Sequence, residues 1–512
     1  MRNFESRLAV LGLSASLLGV VPLAACDGGQ ILPPSPVGGG GSGSSVTTDA
    51  TAATSTSSGM GGAGSSGTST GTGGESVPFP HTLYVAHEGS LVAYDIATGA
   101  EIPGSVEMVS GPRTMQAMSD GTVLLNNTKL DQIVAAGGRP AKELARYASS
   151  AQAGKKPVEG YISPTRDGKT YWLTLNDGNN TAGSTSATLV DAGQGSPSYL
   201  KPVAEVAIPN GHHQAAFSAT RERLVVSSYS DCQNLLEIFD YSTIASVALV
   251  GSMTAASLGF DGSTMAKTCD PTESAGIAMK PHGCATAKKN GKVYCNFGGP
   301  GIIAVADIDA DPPAYKAIQT TGKGGGYSRA LPGGAYIYTI QSGPREGKGG
   351  ASCQIGQLVT IDTSNDTLTS QIPLLYKGAG CTDALIGTDE ETDTPNELRI
   401  SKDGKTLFIG INGGFGIATA RVRQEMVLDL TNPAMPVQLP SIQVGQGTGE
   451  HGTAMTGDGK LLFVADAVDG TVTQIDVASR KVTGKLTVKA MPLLITTFGT
   501  LEGPSAQVGP VF

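Results

Sequence analysis

The sequence predicts an all-β protein, a β-propeller of four-stranded antiparallel blades, with eight blades preferred over seven. The first observation is a four-strand unit within residues 450–488, reading GTAMT, KLLFVAD, TVTQID and KVTGKLTV. Asp469-Gly470 and Gly457-Asp458-Gly459 separate its strands, and Asp-Gly between β-branched runs is a strong hairpin signal. One meander of this size cannot bury its own face, so it must stack on copies of itself.

Copies of the unit are the second observation. Its third strand ends in an apolar residue followed by aspartate, at Asp476, and the same ending recurs at Asp95, Asp191, Asp240, Asp307, Asp362 and Asp429. The interval from Asp95 to Asp191 is about two repeats long, so a degenerate blade is placed there and the total becomes eight. A terminal aspartate suits the following turn, because its carboxylate accepts local backbone N–H groups.

The two ends of the chain supply the third observation. The run HTLYVA at residues 81–86 begins a unit at its second strand, and the strand PLLITTF at residues 492–498 follows the last complete unit. Pairing the C-terminal strand into the first blade closes the ring and removes open sheet edges. The inner strands of blades two to eight are predicted to begin at or near Arg113, Gly160, His212, His282, Tyr327, Leu398 and Gly452.

Two of the repeats carry a family resemblance. DGKTLFIG and DGKLLFVADAVDGTVTQIDVASRKVTGKL resemble YVTN-type, lactonase-like β-propeller repeats, in which a DGK turn precedes an aromatic-rich second strand. The resemblance extends over about residues 80–500. It implies the fold and leaves the activity open, because propellers host many unrelated functions.

The N-terminal segment predicts an exported, anchored protein. Arg2 and Arg7 precede an apolar run, so residues 1–25 are interpreted as a secretory signal. Leu23-Ala24-Ala25-Cys26 resembles a bacterial lipobox, which implies lipidation of Cys26; a transmembrane anchor is the alternative. Residues 26–77 are rich in Gly, Ser and Thr, a composition typical of a flexible tether. Residues 78–512 are predicted to form the propeller domain.

These features predict location and partners. The expected location is the bacterial cell envelope, periplasmic or surface-facing, with the membrane contacted through the lipid anchor. The net charge of −9 disfavours a nucleic-acid partner. A monomer is expected, with a metal ion or an envelope protein as the binding partner.

The six cysteines after Cys26 are an even number, which in an exported protein indicates disulfides. Cys284 and Cys295 lie on the first two strands of blade five at facing register and are predicted to pair. Matched positions in blades four and six favour the pairs Cys232–Cys269 and Cys353–Cys381. Free thiols, a metal site or other pairings within blades four and five remain the alternatives.

Four of the six histidines fall where an inner strand begins: His212 and His213 in GHHQA, His282 in PHGCA and His451 in EHGTA. Inner strands line the central channel of a propeller, so these side chains are expected to converge on one mouth. Imidazoles there would suit Zn²⁺ or a copper ion. The alternative is that Pro-His-Gly is a common blade opening in YVTN and lactonase-type propellers, where the histidine packs or hydrogen-bonds.

A weaker resemblance bears on the same residues. The run PHGCATAKKNGKVYCNFGG, with GHHQA upstream, is similar to periplasmic zinc-chaperone propellers. The resemblance implies His213, His282 and His451 as ligands, with His212 or an acidic residue such as Glu450 completing the set. The chain departs from that family because it has no His/Asp-rich N-terminal tail and is predicted to carry a lipid anchor.

Three function classes follow. The preferred hypothesis is an envelope-anchored, metallochaperone-like binding protein for zinc or copper. The second is a lactonase-type, metal-dependent hydrolase that uses Glu450 and the channel histidines. The third is a protein-interaction scaffold without metal. No GxSxG elbow, phosphate loop or dinucleotide fingerprint points to another enzyme class.

Overall fold

The computed structural model describes residues 81–118, 120–151, 155–178, 184–209, 213–228, 234–259, 279, 281–322, 326–341, 353–376, 393–413, 422–446, 452–466, 469–488 and 492–497. They form eight antiparallel sheets of four strands each, which confirms the predicted eight-bladed propeller. Within these ranges the helices are three single 3-10 turns, at Thr128–Leu130, Ile244–Ser246 and Ala256–Leu258. No helix of the described residues is long and apolar enough to cross a bilayer.

The strands follow one another as consecutive meanders. Blade one contains β1 (Thr82–His87), β2 (Gly89–Asp95) and β3 (Glu101–Val109); blade two contains β4 (Pro112–Ala117), β5 (Thr122–Asn127), β6 (Gln132–Gly137) and β7 (Lys142–Ala148). Blade three contains β8 (Pro157–Ile162), β9 (Tyr171–Asn176), β10 (Ser186–Asp191) and β11 (Pro202–Ala207); blade four contains β12 (His213–Phe217), β13 (Arg223–Ser228), β14 (Leu236–Asp240) and β15 (Ala248–Met253).

The second half repeats the pattern. Blade five contains β16 (Pro281–Thr286), β17 (Val293–Phe297), β18 (Ile302–Asp307) and β19 (Ala314–Gln319); blade six contains β20 (Ser328–Ala330), β21 (Tyr336–Gln341), β22 (Cys353–Asp362) and β23 (Thr367–Tyr376). Blade seven contains β24 (Asp393–Ile400), β25 (Thr406–Gly413), β26 (Val422–Asp429) and β27 (Val437–Gln446); blade eight contains β28 (Thr453–Met455), β29 (Leu461–Asp466), β30 (Thr471–Asp476) and β31 (Lys481–Thr487). The last strand, β32 (Pro492–Thr497), completes blade one.

The ring closes through β32, as the sequence predicts. It pairs antiparallel with β1, with Leu83 opposite Thr497 and Ala86 opposite Leu494. Each inner strand contacts the inner strand of the next blade, in the unbroken circle β32, β4, β8, β12, β16, β20, β24 and β28. The first and last segments of the domain therefore share one sheet, which leaves blade one no open inner edge.

The hydrophobic core lies between blades. Separate clusters join blades one and two, four and five, five and six, and seven and eight, each built from residues of facing sheets. Middle strands such as β5 and β9 are buried along their whole length, because a neighbouring blade covers each face. Outer strands such as β7 and β31 are largely exposed. Burial of both faces explains why apolar residues occupy successive positions in these middle strands, as in Val123-Leu124-Leu125 and Tyr171-Trp172-Leu173.

The strand-ending aspartates behave as predicted. Each accepts a nearby backbone N–H: Asp95 from Thr98, Asp191 from Gly193, Asp240 from Ser242, Asp307 from Ala310, Asp362 from Ser364, Asp429 from Thr431 and Asp476 from Ser479. Blade two has Gly137 at this place, which is why the repeat looked degenerate there. The carboxylates cap the turn between the third and fourth strands.

Two predicted blade starts were wrong by a few residues. The third blade begins at Pro157 instead of Gly160, and the seventh at Asp393 instead of Leu398. Strand pairing continues toward the N-terminus through a bulge between Pro157 and Glu159 and another between Pro395 and Leu398, although the regular alternation of side chains stops there. An inserted residue breaks the period of two on which the sequence reading depends.

The ring has two ends. The mouth face is the end at which the inner strands begin. The turn face is the opposite end and carries the turn between the first and second strands of blades two to eight.

Candidate metal site at the mouth face

The structure brings two of the predicted histidines to neighbouring inner strands. His213 is the first residue of β12 and His282 the second residue of β16, and these strands contact each other. In each blade one backbone N–H closes the first turn: Ser218 donates to Arg223 O at 2.8 Å, and Ala287 donates to Lys292 O at 2.9 Å. His213 precedes Ser218 by the same number of residues as His282 precedes Ala287. The two histidine positions therefore lie at one end of adjacent blades.

A bulge at Gly283 shifts His282 along its ladder. His282 pairs with Asn296 while Cys284 pairs with Cys295, so Gly283 is the extra residue. Gly283 has φ +65°, and a Cβ there would lie 2.0 Å from the Gly326 carbonyl oxygen at the start of blade six. Only glycine allows this close approach. Blade five therefore opens against blade six, with Gly283 O accepting from Ser328 Oγ at 2.6 Å.

The imidazole of His282 lies beside an aromatic ring of the next blade. Its centroid is 5.1 Å from that of Tyr327, with an interplanar angle of 65°. The His282 side chain is partly exposed, whereas Cys284, two residues on, is fully buried. An edge-to-face contact of this kind limits the orientations of the imidazole. The packing role that the sequence left open is thus present for His282, and it is compatible with ligation.

The other predicted ligands lie outside the described residues: His212, Glu450 and His451, and for His213 the backbone alone is described. In blade eight the N–H that closes the first turn belongs to Thr456, which donates to Leu461 O at 2.9 Å. His451 precedes Thr456 by the same number of residues as His282 precedes Ala287, so the sequence position of His451 matches those in blades four and five. Among the side chains that the structure describes, no group of three His, Cys, Asp or Glu could hold a metal ion. The convergence of all four histidines stays a prediction.

A buried polar layer lies further along the inner strands, and the sequence reading did not identify it. Arg329 of β20 and Arg399 of β24 occupy equivalent positions and are 2% and 8% exposed. Arg399 Nη2 donates to Thr453 O at 2.9 Å, and each guanidinium also donates to the carbonyl of the residue before it. The signal was available: SRAL and LRIS place one arginine at the same point of two neighbouring blade openings.

Blades three and four also have buried polar side chains on their inner strands. Tyr161 on blade three donates its hydroxyl to Gln214 Oε1 on blade four at 3.0 Å. Burial raises the pKa of Tyr161 well above its ordinary value, Glu159 raises it further, and the positive charge of Arg329 on blade six opposes the rise.

One of the predicted disulfides is confirmed, and the other two involve residues outside the described ranges. Cys284 and Cys295 form a disulfide, lie opposite each other in the ladder and are fully buried. Cys353 begins β22, the third strand of blade six, where the sequence reading placed it. The remaining partners, Cys232, Cys269 and Cys381, and the lipidation candidate Cys26 lie outside the described residues. Pairs 232–269 and 353–381 stay predictions.

No protein-family model and no curated protein sequence matches the chain. Solved structures do match it. Dihydro-heme d1 dehydrogenase NirN is 13% identical with a TM-score of 0.52, over 82% of this chain and 76% of that one. AztD of Citrobacter koseri is 13% identical with a TM-score of 0.49, over 81% and 96%. A putative 6-phosphogluconolactonase of Bacteroides fragilis is 14% identical with a TM-score of 0.46, over 81% and 96%.

The likeness to NirN, with a TM-score of 0.52, is one of fold. At identities this low the likeness concerns the fold alone, and function has to be argued from the site.

Proposed function

We propose that this protein is an envelope-anchored propeller that binds a transition metal ion, zinc or copper, at its mouth face. The observation that carries the proposal is that His213 and His282 open adjacent inner strands at the same end of the ring. His451 precedes the inner strand of blade eight, which lies across the axis from blade four. Three imidazoles from these blades, completed by His212 or Glu450, would form the ligand set.

The chemistry of the donors supports this ion class. Neutral imidazole suits zinc and copper, and zinc prefers a tetrahedral set with Zn–N of about 2.0–2.1 Å. Tyr327 and the Gly283 bulge fix where the His282 ring can lie, which is how residues behind a ligand orient it. The buried polar layer with Arg329 and Arg399 lies deeper along the inner strands, so an ion would be held at the mouth. When bound, the ion is cargo or a Lewis acid; the chain's own residues bind and orient it.

The test is a competition titration of the purified full-length protein with zinc and copper at neutral pH. We expect His282→Ala and His451→Ala each to weaken binding by more than about tenfold, because each removes a direct ligand. His81→Ala is the matched control: His81 is exposed, lies outside the inner strands and should leave affinity unchanged.

Two results would reject the metal proposal. One is a parent protein that binds neither ion at micromolar concentration. The other is a pair of variants that bind as the parent does, which would leave the histidines as blade-opening residues and favour a scaffold. Hydrolysis of lactones that is lost on chelation and in Glu450→Gln would instead support the lactonase alternative.

A further inference from the structure

A second cleft lies on the turn face, between blades three and four, at the opposite ends of the strands from the histidines. Its volume is about 200 Å³, and the residues that matter are Arg166, Tyr171, Glu222 and Tyr241. All belong to the short turns after β8, β12 and β14 or to the strands beside them. The cleft is thus built on the rigid, hydrogen-bonded end of the ring.

The Arg166 side chain is held by a hydrogen bond at one terminal nitrogen, while the other terminal nitrogen has no partner. Reciprocal backbone bonds with Lys169, at 2.9 and 2.7 Å, close a hairpin whose two central residues, Asp167 and Gly168, have positive φ. Arg166 Nη2 donates to Ser218 O of blade four at 2.8 Å, and Nη1 is buried with no hydrogen-bond partner. A buried donor without a partner is costly, so a ligand acceptor there would be favoured.

Tyr241 presents a second unused group. Its ring is 3% exposed and packs edge-to-face on Tyr171 at 5.9 Å and on Phe217 at 5.7 Å. The hydroxyl of Tyr241 is buried and has no hydrogen-bond partner. Burial raises the pKa of this phenol, with Arg166 opposing and Glu222 adding to the rise, so both charges act on the hydroxyl. The phenol is protonated at neutral pH and can donate.

Glu222 provides the opposite charge. Its carboxylate makes no hydrogen bond or ion pair within the described part of the chain, although it lines the same cleft as Arg166 and Lys169. The charged lining residues Arg166, Lys169, Asp167 and Glu222 balance to zero. A balanced lining with separated charges disfavours a ligand of one sign and favours one that carries both.

We propose that this cleft binds a small zwitterion of the α-amino-acid type. A small turn of the Arg166 and Tyr241 side chains toward the cleft lets the carboxylate accept from Arg166 Nη1 and from the Tyr241 hydroxyl, both of which are buried in the unliganded protein. The ammonium group lies toward Glu222. Two donors on one carboxylate satisfy both unpartnered groups at once. The cavity volume, about 200 Å³, limits the ligand to a short side chain.

The corresponding cleft between blades seven and eight shows what is particular about this one. There Val477 donates its N–H to Lys460 O at 2.9 Å, just as Tyr241 donates to Glu222 O at 2.8 Å. Val477 and Lys460 thus replace the tyrosine and the glutamate. That cleft is wider, about 760 Å³, and includes Arg480. It supplies matched controls in the same molecule.

The experiment is isothermal titration calorimetry on the full-length protein with L-alanine, propionate and ethylammonium, repeated with a metal chelator. Propionate lacks the ammonium group and ethylammonium lacks the carboxylate. We expect saturable binding of alanine, at least about tenfold weaker binding of the other two, and no effect of the chelator. Arg166→Met should weaken alanine binding by about thirtyfold and Tyr241→Phe by about fivefold.

Controls separate binding from folding. Arg480→Met makes the same change in the wider cleft, and Tyr147→Phe removes another buried, unpartnered hydroxyl; both should leave binding unchanged. Tyr241→Phe should not lower the melting temperature, because the lost hydroxyl has no partner. Glu222→Gln should make alanine and propionate bind alike. Absence of saturation by alanine at millimolar concentration, or equal binding of alanine and propionate by the parent, would overturn the proposal.

Discussion

The two faces of the propeller are built differently. On the turn face the connections are short, such as residues 287–292 and 456–460. On the mouth face the connections include residues 254–280, 342–352 and 377–392. Short hairpins leave the chain few conformations, whereas long connections over a rigid scaffold are where binding residues concentrate. The predicted histidine and cysteine sites fall mainly on the second kind.

Deleting residues 490–512 should have the largest effect, because it removes β32 and opens blade one. We expect aggregation or loss of cooperative unfolding, since β1 would present an unpaired edge and the contact of β32 with β4 would be lost. Thermal unfolding followed by circular dichroism checks this. A deletion within residues 30–75, the predicted tether, is the control and should not change the melting curve. A truncated protein that melts like the parent would contradict ring closure.

Replacing one glycine on each face by alanine tests how closely each face is packed. Gly283 on the mouth face has φ +65° and Gly168 on the turn face has φ +74°. A Cβ added at Gly283 would lie 2.0 Å from the Gly326 carbonyl oxygen, whereas a Cβ added at Gly168 would have no neighbouring atom within 4 Å. Gly168→Ala should cost about 1 kcal/mol for the left-handed conformation alone. Gly283→Ala should cost about 3 kcal/mol, because a backbone shift is added. Denaturant titration measures both, and equal losses would mean that blades five and six are not in close contact there.

Acid should weaken metal binding at the mouth face and the aspartate-capped turns of the turn face at two different pH values. Hydroxyl bonds from Ser364 and Thr431, followed by bonds from their N–H groups, hold the pKa of Asp362 and of Asp429 below its ordinary value. A lowered folded-state pKa gives a stability contribution that is present above the unfolded pKa and lost as pH falls through the folded one, hence below about pH 4. Metal binding through imidazole should weaken near about pH 6.5.

At pH 5 we therefore expect a folded protein without metal, checked by circular dichroism and metal analysis on the same sample. Loss of metal only when the fold is lost would contradict a site made of histidines.

The sequence predicted most of the fold because the same local signals repeat. Asp-Gly turns and strand-ending aspartates act over a few residues, so the blade number followed from them. Ring closure followed from the incomplete first unit and the extra strand after the last one. The bulges at Gly283 and before Glu159 could not be predicted, because they depend on the neighbouring blade. The Arg166–Tyr241 cleft was missed for the same reason: its groups come from two blades, and each has an ordinary sequence context.

The most direct test of the mouth-face site is zinc-edge anomalous diffraction from crystals of the full-length protein grown with zinc. The account predicts a peak on the mouth face about 2.0–2.1 Å from an imidazole nitrogen of His282, with at least two further ligands among His212, His213, His451 and Glu450. A zinc peak bound elsewhere with His282 uncoordinated, or the absence of any peak at the mouth, would contradict it.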